Sequence, residues 1–175
     1  MQLKLRYYGD PVLRERATVI ETFDDELREL AEAMVETMFR ERGIGLAAPQ
    51  VGLSRRLIVA LQMSEVEDED AEPVALVNPE VVERSSDTWI YEEGCLSIPE
   101  VTGDVTRPET ITVRYQDLDG HTMMVTTSGM FARILLHEVD HLNGRLFIDY
   151  LSTANKSLIK PRLKEIAARN PSEPS

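Results

Sequence analysis

The chain has 175 residues, is 42% hydrophobic and 29% charged, and carries a formal net charge of −12. That length fits one domain with a sizeable core. No apolar run approaches the roughly 18 residues a membrane span needs, and the negative balance argues against broad contact with the phosphate backbone of DNA.

Positions 24–41 read as an amphipathic helix: Leu27, Leu30, Ala31, Met34, Val35 and Met38 recur at three- and four-residue spacing. Asp24 and Asp25 suit its start, and Gly43 lies just past its end. The next segment, Gly43 to Gln50, reads G-I-G-L-A-A-P-Q. It echoes the dinucleotide fingerprint, but that motif needs a strand before it and a helix after it. Here a helix precedes and the strand-like Leu57-Ile58-Val59-Ala60-Leu61 follows, so a loop is expected, its glycines letting backbone approach a ligand closely. The acidic run at 65–72 predicts a solvated loop, and 73–77 a strand. Positions 110–115 and 122–126 flank Asp119-Gly120 and predict a hairpin, with His121 exposed.

Ser128 is expected to cap a helix over 129–142, stopped by Asn143-Gly144. Phe131, Ile134, Leu135, Leu136, Val139 and Leu142 surround that helix with apolar groups, so it should be buried on most sides. An extended segment is expected at 146–151. Residues 151–175 hold five basic and two acidic side chains, a net +3 that leaves −15 on the rest. They predict a basic C-terminal helix that Pro161 can interrupt. The expected organisation is one domain over 1–165 and a disordered tail over 166–175.

Within the buried helix stands His137-Glu138-Val139-Asp140-His141. Two imidazoles four residues apart share a helix face and can point at one metal ion, and the carboxylate between them can reach a bound water. Buried charge needs a partner or a metal, which favours a metal site here over surface histidines. Asp140 faces away from the pair, with Arg107 a candidate partner. A third ligand is needed, because catalytic centres of this type usually have three protein ligands and an open position. The extended pattern H-E-x-x-H-x-x-G-x-x-H holds through Gly144 but has Phe147 in place of its last histidine. Cys95 is the expected third ligand, since a thiolate suits a borderline-soft divalent metal, although a lone cysteine is more often a small buried hydrophobe.

G-I-G-L-A-A-P-Q (43–50), Glu93-Gly94-Cys95-Leu96-Ser97 and His137 to His141, in that order, closely resemble the three signature motifs of bacterial peptide deformylases. The likeness extends through Ile98-Pro99-Glu100 and from Leu142 to Ser152, and covers the chain to about residue 165. That family removes the N-formyl group from the starting methionine of new polypeptides. The resemblance implies one divalent metal ion per chain on Cys95, His137 and His141, natively Fe2+, with Zn2+, Ni2+ or Co2+ as alternatives. It implies Glu138 as acid and base, and Gln50 with the backbone N–H of Leu96 as donors to the carbonyl oxygen. It also implies an N-formylmethionyl peptide substrate and docking of the basic C-terminal helix on the ribosome. Ile44 and Ile134 are candidate walls for the methionine side chain. Gly43 and Gly45, and on the other side Glu93 and Gly94, are candidates to present backbone to the peptide.

The compartment expected is the cytoplasm. One cysteine permits no internal disulfide, and Met1-Gln2-Leu3-Lys4-Leu5-Arg6 lacks the apolar core of a signal peptide. Two rival readings remain at this level. One is a zinc endopeptidase taking Glu165 as third ligand, and the other a non-catalytic metal-binding or ribosome-associated module. The fold class expected is α+β: a buried central helix carrying HEVDH amid antiparallel strands, with an N-terminal amphipathic helix and a C-terminal basic one.

Overall fold

A computed structural model of the chain describes residues 1–64 and 68–169, so the predicted acidic loop lies partly outside the described residues. Helix α1 (Asp25–Arg40) begins where Asp24 accepts the Leu27 N–H on its side chain, as the sequence predicts. The left-handed residue beyond its end is Arg42, at φ 60°, rather than Gly43. Among the described residues, β1 (Gly45–Ala47), β2 (Leu57–Leu61), β3 (Pro73–Arg84), β6 (Thr110–Gln116) and β7 (Thr122–Ser128) form one antiparallel sheet in the order β1-β2-β3-β6-β7. Strands β4 (Thr88–Cys95) and β5 (Ile98–Pro108) form a separate hairpin.

Side chains alternate across a strand, and β2 shows what this does. Leu57 and Val59 pack with Leu27, Leu30, Met34 and Met38 of α1. Ile58 and Ala60 pack with Phe131, Leu135 and Val139 of α2 (Gly129–Leu142). A strand covered on both faces has no use for polar residues, hence the unbroken apolar run. Helix α2 also contacts β5, so it lies between the sheet and the β4–β5 hairpin. A third apolar cluster joins Ile98, Val101 and Val105 of β5 to Phe147, Ile148, Leu151 and Ile166. The arrangement is α+β, as expected.

Four local expectations are corrected. Gly45–Ala47 is a strand, not a loop, because it pairs with Ile58–Ala60; a 3-10 turn, Ala48–Val51, follows. Positions 147–150 form a 3-10 turn rather than an extended segment, with the Asp149 carboxylate accepting the Leu146 N–H. Ser128 occupies the N-cap of α2 but makes no side-chain capping bond. Helix α3 (Thr153–Arg169) runs through Pro161 and past residue 165. The carbonyl that Pro161 leaves without a donor belongs to exposed Ser157, where water can serve it, and buried Ile166 ties the last turns to the β5 cluster. Residues 170–175 lie outside the described residues.

The β4–β5 hairpin itself had no clear sequence signal. On β4 the inward positions are Trp89, Tyr91 and Glu93, and the exposed one at position 90 is isoleucine. A buried acid and an exposed isoleucine break the apolar-in, polar-out alternation by which a half-buried strand is read.

Candidate metal centre

Helical spacing brings His137 and His141 onto one face of α2, their ring centroids 5.1 Å apart. Cys95 arrives from the end of β4, where a register shift between Gly94 and Cys95 precedes the tight return to Ile98. Its Sγ lies 3.4 Å from His141 Nε2. One ligand atom from each of Cys95, His137 and His141 falls within 4.8 Å of the other two. Tetrahedral coordination at ordinary Zn–S and Zn–N lengths would set sulfur and nitrogen about 3.6 Å apart, so the donor set fits a first-row divalent ion with little movement. Phe147, where a third histidine would stand in the extended motif, stacks on His137 with centroids 6.2 Å apart.

The imidazole of His137 is oriented from behind. Its Nδ1 lies 3.0 Å from Glu93 Oε1, which leaves Nε2 as the nitrogen that could hold a metal. Glu93 is in turn gripped by Arg107, whose Nε and Nη2 donate to its two oxygens at 2.6 and 2.9 Å, and by Arg133 Nη1. Arg107 Nη1 donates onward to Asp140 at 2.9 Å, and the Tyr150 hydroxyl donates to the same oxygen at 2.8 Å. Arg107 is therefore the partner of Asp140 that the sequence suggested. Burial pushes the Glu93 carboxyl up, but the bonds from His137 and Arg107 outweigh it and hold the pKa down at about 2.

Electrostatics separate the remaining groups. Burial pushes Glu138 up to about 7, and its Oε1 has no hydrogen-bond partner among the described residues. Burial draws His137 down, but the Cys95 sulfur and the Glu93 carboxylate overcome it and hold it well above the ordinary histidine range. Burial and the charge of His137 hold His141 well below that range, in the neutral form a ligand needs. An imidazole made this basic beside a thiol marks a place suited to positive charge.

Gln50 is buried in the 3-10 turn after β1. Its Oε1 accepts the Ala47 N–H at 3.0 Å, which fixes the orientation of the amide. The Nε2 end consequently faces Cys95 Sγ, at 3.5 Å, and Ser97 Oγ, at 3.2 Å. Gly43 passes Leu96 so closely that a Cβ on it would stand 2.7 Å from the Leu96 side chain.

One cavity of about 760 Å3 joins these groups, a size within the usual range of ligand pockets. Gly43, Ile44, Gly45, Gln50, Glu93, Gly94, Cys95, Leu96, Ile134, His137 and Glu138 all line it. His141 sits behind, 1% exposed. Sequence reasoning missed the side chain of Glu93, having assigned that residue only a backbone role. It also missed Arg133, Ser97, and the Tyr91 and Met130 walls. Arg133 offered a signal: a guanidinium one turn before His137 on an apolar helix has to find a buried anion.

Two other candidates lie apart. His121 is exposed beside Asp117 and Asp119 on the β6–β7 hairpin, and Asp119 pairs with Arg28. Glu165 is engaged by Arg162 and Arg169 on α3.

Residues 2–157 match the family model described as polypeptide deformylase. The peptide deformylase of Thermotoga petrophila is 44% identical over 164 residues, covering 94% of this chain and 96% of the relative. That of Rhizobium meliloti is 46% identical over 158 residues, covering 90% of each. A solved Plasmodium falciparum peptide deformylase in complex with an inhibitor superposes with a TM-score of 0.84 at 37% identity, covering 94% of this chain and 99% of that one.

Proposed function

The chain belongs to the polypeptide deformylase family, and from that premise we propose how its residues divide the work of removing the N-formyl group from nascent peptides, the reaction this enzyme carries out. The family is metal-dependent. Cys95, His137 and His141 are the ligands of one divalent ion, natively Fe2+, with Zn2+, Ni2+ or Co2+ able to replace it; thiolate and imidazole donors suit all four. When bound, the ion would supply Lewis acidity, polarising the formyl carbonyl and drawing the pKa of water down towards about 7.

The carboxylate of Glu138 accepts a proton from the attacking water and later delivers it to the departing amine, so that formate leaves. In the metal-free protein burial raises this carboxyl to about 7, the direction an acid–base group working near neutrality needs. Gln50 Nε2–H and the Leu96 backbone N–H donate to the oxyanion as it forms, each such donor being worth about 3–4 kcal/mol. Glu93 acts through His137, fixing its ring while Arg107 and Arg133 fix Glu93. The methionine side chain lies against Ile44 and Ile134, with Tyr91 and Met130 nearby. The peptide extends along β1, whose outer edge has no strand partner among the described residues because β1 ends the sheet, and on its other side passes the backbone of Gly94.

The observation that carries the assignment is the meeting, around one cavity, of a Glu138 oxygen without a hydrogen-bond partner among the described residues, the Gln50 amide and the Cys95 and His137 donors, with His141 just behind. A structural metal site needs neither of the first two. The test is formate release from N-formyl-Met-Ala-Ser by protein of known metal content. Hydrolysis of an internal peptide bond instead would favour the endopeptidase reading, and no turnover by metal-replete protein would favour a binding module.

A reaction on nascent chains supports the reading that the enzyme works in the cytoplasm, beside the ribosome. No helix among the described residues is long and apolar enough to cross a membrane. Lys156, Lys160 and Lys164 are exposed on α3 and supply a basic face for ribosome docking. Reversing all three to Glu is expected to reduce co-sedimentation with ribosomes; unchanged pelleting removes that partner.

A further inference from the structure

Given the deformylase reading, in which the Gln50 amide and the Leu96 N–H share the developing oxyanion, the spacing of those two donors has to be held. They come from different bodies. Gln50 sits in the turn after β1, at the edge of the larger sheet, and Leu96 follows Cys95 in the return of the separate β4–β5 hairpin. One link joins them side chain to side chain, Gln50 Nε2 donating to Ser97 Oγ at 3.2 Å.

A second link runs through backbone. Residues 5–8 lie outside the helices and strands. Two of their N–H groups are nevertheless engaged: Arg6 donates to the Gln50 carbonyl at 2.7 Å, and Tyr8 donates to the Ser97 carbonyl at 2.9 Å. Ser97 is fully buried and directly follows Leu96. One short segment therefore holds the backbone at both donors. Leu5 packs with the α1–β2 cluster, Tyr7 and Tyr8 with the β5 cluster, so the segment spans the two apolar bodies. Leu5 and Tyr7 also line the cavity.

The segment is itself anchored. Arg6 Nη1 donates to Asp10 Oδ2 at 3.0 Å, and Oδ1 of that buried aspartate accepts the Val12 N–H at 3.1 Å. The Arg6 guanidinium also lies against Gly52 at the end of the Gln50 turn, where a Cβ would stand 2.9 Å from Nη2. Arg6 thus meets that turn with both its backbone and its side chain.

We propose that residues 5–8 are a positioning strap for the reaction, the Arg6 and Tyr8 N–H groups fixing the distance between the Gln50 amide and the Leu96 N–H. Neither residue touches the reacting atoms. They act through the donors, and a donor displaced by about an ångström no longer meets the oxyanion, an error that costs about a hundredfold in rate. The oxyanion exists only after attack, so the effect falls on kcat rather than KM.

The test removes each N–H and keeps the chain. Arg6→Pro and Tyr8→Pro, zinc-loaded to known content, are assayed with formyl-Met-Ala-Ser beside Arg6→Ala, which keeps the N–H. Each proline variant should lose about tenfold or more in kcat, with KM within about threefold and bound metal unchanged. Arg6→Ala should lose at least about fivefold less than Arg6→Pro, because the bond to the Gln50 carbonyl survives. In a Gln50→Ala background, adding Arg6→Pro should cost no more than about threefold, since no amide remains to be misplaced. Wild-type kcat in the proline variants, equal losses from Arg6→Pro and Arg6→Ala, or the same Arg6→Pro penalty in both backgrounds overturns the proposal. Where a proline variant does not melt cooperatively, the Tyr8 N–H is replaced by an ester oxygen, using the hydroxy-acid analogue of tyrosine. A similar kcat loss is expected there, and an unchanged kcat overturns the strap. Wild-type turnover by Gln50→Ala would sink the donor role on which the strap rests. An impaired Gln50→Ala beside an unimpaired Arg6→Pro sinks the strap alone.

Discussion

Gly45 and Glu138 are in such close contact that a Cβ on Gly45 would stand 2.6 Å from Glu138 Oε2 and 3.0 Å from Ile134 Cγ2. Gly45 is not among the residues with positive φ, so the glycine is needed for space and not for backbone conformation. An edge strand and a helical carboxylate are thereby pressed together at the floor of the cavity. Gly45→Ala must push Glu138 aside while leaving the three proposed ligands in place. We expect at least a tenfold loss of formate release with metal content unchanged. Wild-type turnover by that variant would show that Glu138 tolerates displacement.

Glu138→Gln separates chemistry from stability. Turnover should fall more than about a hundredfold, the usual scale for losing an acid–base group, with the metal retained. The metal-free variant should be more stable than the wild type above pH 7. The Glu138 carboxyl is raised from 4.5 to about 7 in the fold, so the folded state prefers it protonated. It therefore loses stability as the pH climbs from 4.5 through 7, by up to about 3 kcal/mol. Glutamine carries no such penalty. Thermal midpoints of both proteins at pH 5 and pH 8 check the sign: the gap should open only at the higher pH.

Glu93 titrates in the opposite sense. Its pKa is depressed to about 2, so the stability it contributes is complete above about pH 4.5 and drains away as the pH falls towards 2. Urea midpoints of the metal-free wild type should drop over that window, and Glu93→Gln should flatten the drop. Arg107→Ala leaves the buried Glu93 carboxylate to Arg133 and His137 alone and should cost about 2–3 kcal/mol at neutral pH. A midpoint within experimental error of the wild type would mean the network is ornamental.

Cys95→Ser replaces the soft donor with a poorly acidic hydroxyl. Bound metal per chain, measured after dialysis, should fall well below one, and a cobalt-substituted form should lose its sulfur-to-metal charge-transfer absorption. Glu165→Ala should change neither. The reverse pattern would restore the endopeptidase ligand set.

Iron-loaded protein should lose activity on aeration, because an open ferrous thiolate site is oxidisable, whereas zinc- or nickel-loaded protein should not. Activity that persists in the aerated iron form counts against iron as the native ion.

The sequence by itself determined whatever depends on local repeat. His137, Glu138 and His141 sit on one helix, and a 3.6-residue period settles their mutual placement wherever that helix ends up. The same holds for α1 with its Asp24 cap, for the β6–β7 hairpin around Asp119-Gly120, and for β2 as an apolar strand. Where periodicity was overridden, pairing partners did it: Gly45–Ala47 became a strand only because β2 lies beside it. Cys95 could be proposed as third ligand from its chemistry, but its 3.4 Å approach to His141 depends on how β4 meets α2. The Glu93, Arg107 and Arg133 network belongs wholly to the tertiary structure. These residues come from β4, β5 and α2, no spacing rule links them, and only burial makes it necessary for their charges to meet.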